Sequence, residues 1–378
     1  MIVLPALLAA LITTGLFLFG LWQIVRTFAL REKLERLLRS LGLTREQQNP
    51  IMRGMHAWEA GGVFNPAAVE VKGKTHLFYR AVGSDGVSRL GYAKTKDGKQ
   101  IDERLPFPVF SFAGSPDAKA FALHSGLFAS GGSFAGVEDP RAVRIGDRIY
   151  LTFNAFADWG SLRVGVSSVG VDELESKRWK WTPPTFISPK GEVHKSWVLF
   201  PEKINGQFAV LHSLHSGSRD RVVVDYLETL DEEPATPIQS PYYPSADPTY
   251  WDSMLRGAGP PPLKTSKGWL VLYHANDVRD AHRYKLGAML LDLTDPSKVL
   301  ARSPGPVLAP DAWYENDGKP GIVYACGATL SGDTLRVYYG GADAVVCTAT
   351  TSLANLLGKL SAPEKLPQQE LRNALAFA

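Results

Sequence analysis

One phrase recurs about five times along this chain of 378 residues: an extended segment, a Gly-centred turn, and a second extended segment that ends in a polar group. Successive turn glycines are roughly 60 to 73 residues apart, and they are Gly73, Gly146, Gly206, Gly268 and Gly332. This period suits one four-stranded propeller blade with a long loop. The 35 glycines and 26 prolines also suit a fold rich in turns. The repeats therefore predict an all-β fold, a five-bladed β-propeller.

A dipeptide that ends in proline precedes the turn in each of the first four copies: Asn65-Pro66, Asp139-Pro140, Phe200-Pro201 and Gly259-Pro260. Proline has no N–H to give to a sheet, so it belongs at the first residue of a strand. The innermost strand of each blade lines the channel of a propeller. We therefore expect the four strand starts to meet at one mouth of that channel.

The N-terminal residues 2–25 carry no charge and are long enough to cross a bilayer. They lack the basic start and the cleavage site of a secretory signal, so we interpret residues 1–25 as an uncleaved transmembrane anchor and the lipid bilayer as a partner. Lys and Arg are abundant after this span and absent before it. The positive-inside rule then predicts a single-pass protein with its propeller on the cytoplasmic side.

The remaining boundaries follow from these two features. Residues 26–50 have apolar positions at helical spacing and predict a juxtamembrane amphipathic helix and linker, which is either solvated or lies on anionic headgroups. The propeller is predicted over residues 51–362 and a C-terminal tail over 363–378. The two cysteines, Cys326 and Cys347, are expected to be buried free thiols rather than a disulfide.

Charge and motifs exclude several functions. The net charge is only +3, so the chain offers no electrostatic case for nucleic acid as a partner. It contains no zinc-ligand spacing, Walker loop or dinucleotide fingerprint. We expect neither a metal nor an organic cofactor.

The segment Glu138-Asp139-Pro140-Arg141 contains the best candidate for a catalytic acid, Asp139. A neighbouring guanidinium lowers the pKa of a carboxyl group, whereas a general acid needs a raised pKa. Burial or a second carboxylate would have to supply that increase. The competing interpretation is a turn braced by a salt bridge.

The second extended segments of the repeats end in polar residues at the same phase, which are Arg80, Asn154, His212, His274 and Asp343. A polar group recurring at one phase of an apolar strand indicates a shared cavity. Tryptophans accompany these loops, at Trp58, Trp159, Trp197, Trp251 and Trp313. Sugar stacking and core packing are alternative roles for each of them. Acid, amide, cation and aromatic groups together suit a polyhydroxylated ligand.

Blocks from Trp58 to Leu357 resemble glycoside hydrolase family 130, the β-mannoside phosphorylases and β-mannosidases. The resemblance is carried by Trp58-Glu59, Val63-Phe64-Asn65-Pro66, Tyr79-Arg80-Ala81, Glu138-Asp139-Pro140-Arg141, Leu199-Phe200-Pro201-Glu202, Gly257-Ala258-Gly259-Pro260-Pro261 and Gly340-Gly341-Ala342-Asp343. It implies a five-bladed propeller and a β-mannoside oligosaccharide or glycoconjugate as partner. It also implies that Asp139 donates a proton through a sugar hydroxyl, with the glycone held by Asn65, Arg80, Glu138, Arg141 and Asp343.

Inversion then needs phosphate or water on the opposite face of the sugar. The groups expected on that side are Lys195, His212, His274 and Arg256. The family's phosphate-binding lysine corresponds to Leu255, and a one-residue shift places Arg256 on the other face of a regular strand. Glu192 and Asp252 are nearby candidates for a base. The sequence therefore slightly favours hydrolysis over phosphorolysis with inorganic phosphate as co-substrate. A glycan-binding propeller without activity is the alternative.

Overall fold

A computed structural model describes residues 14–26, 42–112, 133, 135–158, 161–236, 238, 240 and 250–361. Residues 14–26 are helical, but the rest of the anchor predicted over 1–25 lies outside the described residues. Among the residues that are described, no helix combines the length and the apolar character needed to span a membrane. Most of the amphipathic helix predicted after residue 26, and the C-terminal tail, also lie outside them.

The described chain is dominated by β-strands, which confirms the all-β class. The described strands form four hydrogen-bonded sheets, the largest of which consists of two antiparallel groups joined by a short parallel pairing of β4 with β6. The five antiparallel groups are named sheets 1 to 5 below. Sheet 1 contains β2 (Gly62–Val71), β3 (Lys74–Val82), β4 (Val87–Thr95) and β5 (Glu103–Arg104); sheet 2 contains β6 (Ala135–Ile145), β7 (Arg148–Asp158), β8 (Ser161–Gly170) and β9 (Thr185–Phe186). Sheet 3 contains β10 (Val198–Leu199), β11 (Phe208–Ser213) and β12 (Val223–Leu227).

Sheet 4 contains β13 (Met254–Ala258), β14 (Leu263–Thr265), β15 (Gly268–Asp277), β16 (Asp280–Leu291) and β17 (Val299–Arg302). Sheet 5 contains β18 (Val323–Ser331), β19 (Thr334–Gly341), β20 (Val345–Ser352) and, from the N-terminal side, β1 (Thr44–Arg45). Two short α-helices, α1 (Val171–Glu175) and α2 (Leu353–Ser361), follow β8 and β20. Single 3-10 turns occur at Ala57–Glu59 and Trp313–Glu315.

Sheet 5 joins the two ends of the described sheet region. Its strand β1 pairs with β20 through Thr44↔Thr350 and Arg45↔Ala349. Arg45 also donates from Nε and Nη2 to Glu315, over 2.7 and 2.8 Å. The segment around Thr44–Arg45, which precedes the boundary predicted at residue 51, is therefore paired with sheet 5.

An aromatic ring lies over a glycine of the next strand in three of the sheets. The ring belongs to the second long strand and the glycine faces it in register, as Tyr79↔Gly91, Phe153↔Gly165 and Tyr273↔Gly287. A Cβ added at Gly91 would lie 2.1 Å from Tyr79 Cζ. Glycine is required at these positions because the ring fills the space that a side chain would need.

The innermost strands carry β-bulges near the centre of the molecule. Register shifts occur between Phe64 and Ala67, Glu138 and Arg141, Leu255 and Gly257, and Ala325 and Gly327. Pro66 and Pro140 lie within the first two bulges. These two prolines are therefore inside β2 and β6, whereas Pro201 and Pro260 follow β10 and β13, so the prediction that proline opens the strand is wrong in all four repeats. The feature that these inner strands share is the bulge.

Buried carboxylates tie three loops to their sheets. Each carboxylate accepts a hydrogen bond from a tyrosine hydroxyl on the second long strand of its sheet and also pairs with an arginine. The three sets are Glu59 with Tyr79 and Arg104, Asp252 with Tyr273 and Arg219, and Glu315 with Tyr339 and Arg45. Asp252 is consumed by these structural contacts. It therefore does not supply the base that the sequence suggested.

Candidate active site

A cavity of about 700 Å³ opens where the bulged inner strands meet. Its volume is in the range of small-molecule sites. Seven of the predicted site residues line it: Asn65, Arg80, Asp139, Lys195, His212, Arg256 and Asp343. Three others, Glu138, Arg141 and His274, are buried behind the wall. The topology thus brings together residues from all five sheets or the loops that lead into them.

Asp139 lies at the floor of this cavity and is 5% exposed. Its Oδ1 accepts from Asn65 Nδ2 over 2.8 Å and from Arg80 Nη1 over 3.0 Å. Burial would raise the pKa of Asp139, but the charges of Arg80 and Arg141 outweigh it and lower this pKa to about 2. In the ligand-free site Asp139 is therefore an ionised acceptor.

Backbone geometry aims the acid and its partner. Asp139 has φ 47° and Asn65 has φ 48°, both in the left-handed region. Asn and Asp tolerate that region better than other non-glycine residues. The two bulges therefore turn matching side chains from sheets 1 and 2 towards each other.

Glu138 and Arg141 support the floor rather than line it. Glu138 Oε1 accepts from Arg80 Nη2 over 2.8 Å and from Ser133 Oγ over 2.8 Å. Arg141 donates to the carbonyl oxygens of Asp139 and Gly259, over 2.7 and 3.1 Å. Neither residue lines the cavity, and both side chains hydrogen bond to the groups that form its floor, so their contact with the sugar stays a prediction.

Asp343 faces the cavity from the turn between β19 and β20, with φ 52°. Lys319 Nζ lies 3.2 Å from its Oδ2. Burial raises the pKa of Asp343, and the negative charge of Asp139 adds to this, although Lys319 and Arg80 act in the opposite direction. The pKa of Asp343 is thus raised, whereas that of Asp139 is lowered.

Cations lie on the side of the cavity contributed by sheets 3 and 4. Lys195 Nζ is 3.3 Å from Glu138 Oε2. Arg256 donates from Nε to Asn276 Oδ1 over 2.8 Å, and its guanidinium lies 5.5 Å from the Tyr284 ring centre. Arg256 is the unpaired residue of the bulge between Leu255 and Gly257. A bulge suspends strict alternation, so Arg256 reaches the cavity although a regular strand would turn it away.

His274 does not reach the cavity, which corrects its predicted place on the nucleophile side. It is fully buried, and its Nε2 accepts the Ala325 backbone N–H over 2.9 Å. Burial, assisted by the charge of Arg141, lowers the pKa of His274 to about 3. The ring is therefore neutral and cannot bind an anion as a cation.

Tyr324 takes the position expected for His274, and sequence reasoning missed it. Its ring stacks on His274 with centres 3.8 Å apart. Its hydroxyl is 3.0 Å from Ser196 Oγ and accepts from Arg141 Nη2 over 3.3 Å. The tyrosine lies just before a bulge in β18, where no repeated polar phase marks it.

The remaining predicted groups are divided between wall and core. His212 lines the cavity and its Nε2 lies 2.8 Å from Asp225 Oδ2; burial lowers its pKa although Asp225 opposes this. Asn154 is buried and accepts the Ser196 N–H over 3.1 Å. Glu192 lies at the rim and its Oε2 is 2.7 Å from His194 Nε2. Lys319, also on the wall, was not singled out by the sequence.

Of the tryptophans, Trp197 and Trp251 are 2% and 7% exposed, so core packing describes them better than an open sugar platform. Trp197 nevertheless borders the cavity and contacts His212, with ring centres 5.2 Å apart. Trp159 lies outside the described residues. Trp313 is 60% exposed and is the clear exception.

A deep polar cavity with two carboxylates of opposed pKa, and cations on the facing wall, is typical of enzymes that cleave glycosidic bonds. The family model of glycoside hydrolase family 130, described as beta-1,4-mannooligosaccharide phosphorylase, matches residues 47–361. The chain belongs to this family, as the sequence blocks predicted.

Individual relatives are similar over most of the chain. A 1,2-beta-oligomannan phosphorylase of Thermoanaerobacter sp. (strain X514) is 35% identical over 327 residues, covering 83% of this chain and 98% of that protein. A beta-1,4-mannooligosaccharide phosphorylase of Ruminococcus albus is 30% identical and covers 83% and 89%. The structure of a beta-1,2-mannobiose phosphorylase from Listeria innocua, in complex with beta-1,2-mannobiose, has a TM-score of 0.64, 25% identity, and coverage of 84% and 99%. These neighbours agree with the propeller-like architecture.

Proposed function

We propose that this protein is a β-mannoside phosphorylase that acts with inversion. Hydrogen phosphate attacks the anomeric carbon, the bond from that carbon to the aglycone oxygen breaks, and the products are α-mannose 1-phosphate and the free aglycone hydroxyl. The proton lost by phosphate on forming the ester balances the one gained by the aglycone. No redox partner or metal is needed for this balance.

The observation that carries the proposal is the bulge at Arg256. Hydrolysis was favoured because Leu255 replaces a phosphate-binding lysine, and Arg256 was expected on the opposite strand face. Since Arg256 lines the same cavity as Lys195 and Asp139, two cations border the space in which a dianion would bind. Charge-assisted hydrogen bonds of this kind contribute on the order of 1.5 to 3 kcal/mol each.

Asp139 is the proposed proton donor. Because its pKa is low before the substrates bind, it takes up a proton only after they have bound. A phosphate dianion bound beside Arg256 and Lys195 adds negative charge, and the sugar excludes water. Both changes raise the pKa of a carboxyl group. Asp139 then passes its proton through a sugar hydroxyl to the leaving oxygen, while Asn65, Arg80 and Asp343 hold the glycone.

The proposed substrates are β-1,2-linked mannosides. This rests on similarity to the oligomannan phosphorylase of Thermoanaerobacter and to a beta-1,2-mannobiose phosphorylase from the same strain, which is 33% identical over 319 residues. The β-1,4-linked compounds named for the Ruminococcus relative are the natural comparison.

A product assay tests this function. Wild-type protein and Asp139→Asn are incubated with β-1,2- and β-1,4-mannobiose, with and without inorganic phosphate. We expect mannose 1-phosphate only with phosphate, and a rate at least about 100-fold lower for Asp139→Asn, since general acids contribute roughly 10²- to 10⁴-fold. Free mannose as the sole product in both conditions would identify a hydrolase. Mannobiose binding by calorimetry without any product would identify a glycan-binding module.

We also infer that the five sheets are blades of one propeller tethered to a membrane on its cytoplasmic side. The pairing of β1 with β20 and the packing of β2 against both β6 and β18 support the closed arrangement. The apolar side chains of residues 14–26 are exposed, including Leu16, Phe17 and Trp22, which supports the tether. Full-length protein should remain in membranes after an alkaline wash, and a version lacking residues 1–41 should be released. Equal release of both would rule out the anchor.

A further inference from the structure

A second cavity, of about 580 Å³, lies at the seam between sheets 1 and 5. It is bounded on one side by the chain that enters β2 and on the other by the 3-10 turn at Trp313–Glu315. The residues used below are Arg53, His56, Trp313, Asp317 and Ala344. The proposed reaction assigns no role to this cavity.

The two cavities share a wall made of two short segments. Lys319 and Asp343 face the catalytic cavity, whereas their near neighbours Asp317 and Ala344 face the second one. The segments are joined by the Lys319 N–H, which donates to Ala342 O over 3.1 Å, and by the Lys319–Asp343 ion pair. A ligand that leaves the catalytic cavity over this wall therefore meets the second cavity next.

Trp313 provides an open aromatic surface in the second cavity. Its side chain is 60% exposed, although large aromatic residues are usually buried. The Arg53 guanidinium lies 5.4 Å from its ring centre, and Tyr314 packs against it edge-on. The turn that presents it is fixed by buried Glu315, whose Oε2 accepts the Ala312 N–H over 2.8 Å. The indole is thus held rigidly with ring surface facing solvent.

Polar groups line the same cavity as this indole. They are Arg53, whose guanidinium lies over the ring, together with His56 and Asp317. A cavity that combines aromatic surface with hydrogen-bond donors and acceptors suits a pyranose ring, which has an apolar C–H face and hydroxyls around its edge.

We propose that the second cavity is a remote sugar subsite that binds distal units of an oligomannoside whose terminal unit occupies the catalytic cavity. This rests on the proposed function. The subsite would favour longer chains over disaccharides, because only a longer chain spans the Lys319–Asp343 wall. Trp313 is a binding residue in this proposal and takes no part in the chemistry.

Chain-length dependence tests the subsite. Phosphorolysis of β-1,2-linked mannose di-, tri- and tetrasaccharides is compared for wild-type protein, Trp313→Ala and a control, Phe107→Ala. Phe107 is 50% exposed and lines neither cavity. For Trp313→Ala we expect kcat/KM to fall about fivefold to tenfold on the tetrasaccharide, a factor typical of one aromatic contact, and to change less than about twofold on the disaccharide. Phe107→Ala should match the wild type on all three.

The outcomes separate the subsite from the function. Disaccharide turnover with no length-dependent loss in Trp313→Ala would overturn the subsite and leave the phosphorylase intact. If no mannoside is turned over, the proposed function fails, and calorimetry with the tetrasaccharide in the absence of phosphate then decides the subsite alone. Weaker binding to Trp313→Ala than to Phe107→Ala supports it, whereas equal binding or no binding to wild-type protein overturns it.

Discussion

At the level of single residues, the catalytic cavity depends on side chains in left-handed backbone conformations. Asn65, Asp139 and Asp343 have φ values of 48°, 47° and 52°. Such strain persists where the surroundings impose it and is concentrated at functional sites. Asn and Asp meet the backbone requirement and also supply the amide and carboxylates that the chemistry needs. The same residues therefore satisfy a conformational and a chemical constraint together.

Arg256 is the residue on which the choice between phosphate and water depends. We expect Arg256→Met to raise the KM for phosphate at least about tenfold, because one charge-assisted contact to the dianion is lost. The KM for mannobiose should change little, since the proposed glycone ligands are Asn65, Arg80 and Asp343. Initial rates over a range of phosphate concentrations measure both constants. Arg256→Lys should recover part of the loss, because it restores the charge but not the planar donor set.

A matched control for this variant is Arg221→Met. Arg221 is exposed and donates to Asp295 and Ser297 outside the cavity, so phosphate dependence should be that of the wild type. An unchanged KM for phosphate in Arg256→Met would place the dianion elsewhere and remove the main support for phosphorolysis.

At the level of strands, much of the fold is predictable from local sequence. The Gly-centred turns and alternating strands predict the five repeats, and the ring-over-glycine pairs account for Gly91, Gly165 and Gly287 within strands. Glycine normally weakens a strand, so its presence opposite an aromatic residue indicates a ring that needs the space. Strand pairs of this kind follow from short-range pattern and register.

The bulges, and the side chains that they turn into the cavity, could not be predicted from local sequence. At Leu255-Arg256 the sequence predicts side chains that alternate between the two faces of the strand. Arg256 is instead the extra residue of a bulge, and it lines the cavity. Nor did local pattern reveal that His274 would lie behind Tyr324, because their contact joins residues from sheets 4 and 5. The position of Asp139 in the cavity was predictable from a motif, whereas which cations line the cavity depends on how the inner strands are kinked. Contacts between sheets determine that Tyr324, and not His274, lines the cavity.

At the level of the whole molecule, the N-terminal segment completes the last sheet and neutralises a buried acid. Glu315 has no exposed side-chain surface, and it accepts from Arg45 and from the Tyr339 hydroxyl. An uncompensated buried carboxylate is costly, so β1 and the loop before β18 stabilise each other. The same principle joins Glu59 to Arg104 and Asp252 to Arg219. The pairs of Glu59 and Glu315 each fix a loop to its own sheet, whereas the Asp252–Arg219 pair joins sheet 4 to the loop that follows β11 of sheet 3.

Buried neutral histidines should make global stability depend on pH. Burial lowers the pKa of His274 to about 3 and of His76 to about 4. As pH falls below about 6.5, the unfolded chain binds protons at these residues while the folded protein does not. The free energy of unfolding should therefore be highest above pH 6.5 and fall by about 2 kcal/mol per histidine by pH 5. The depressed carboxylate pKa values act at lower pH, whereas the raised pKa of Asp343 acts in the direction opposite to the histidines.

His274→Gln isolates one of these contributions, because a glutamine side-chain oxygen can still accept the Ala325 N–H. Urea denaturation at pH 8 and pH 5 should show a difference in unfolding free energy that is smaller than the wild-type difference by about 2 kcal/mol. The control His282→Gln changes an exposed side chain and should keep the wild-type difference. If His274→Gln retains the full pH dependence, His274 takes up a proton in the folded protein. His274, behind Tyr324, would then carry a positive charge next to Arg141. The cations Lys195 and Arg256 would no longer face a neutral side of the cavity.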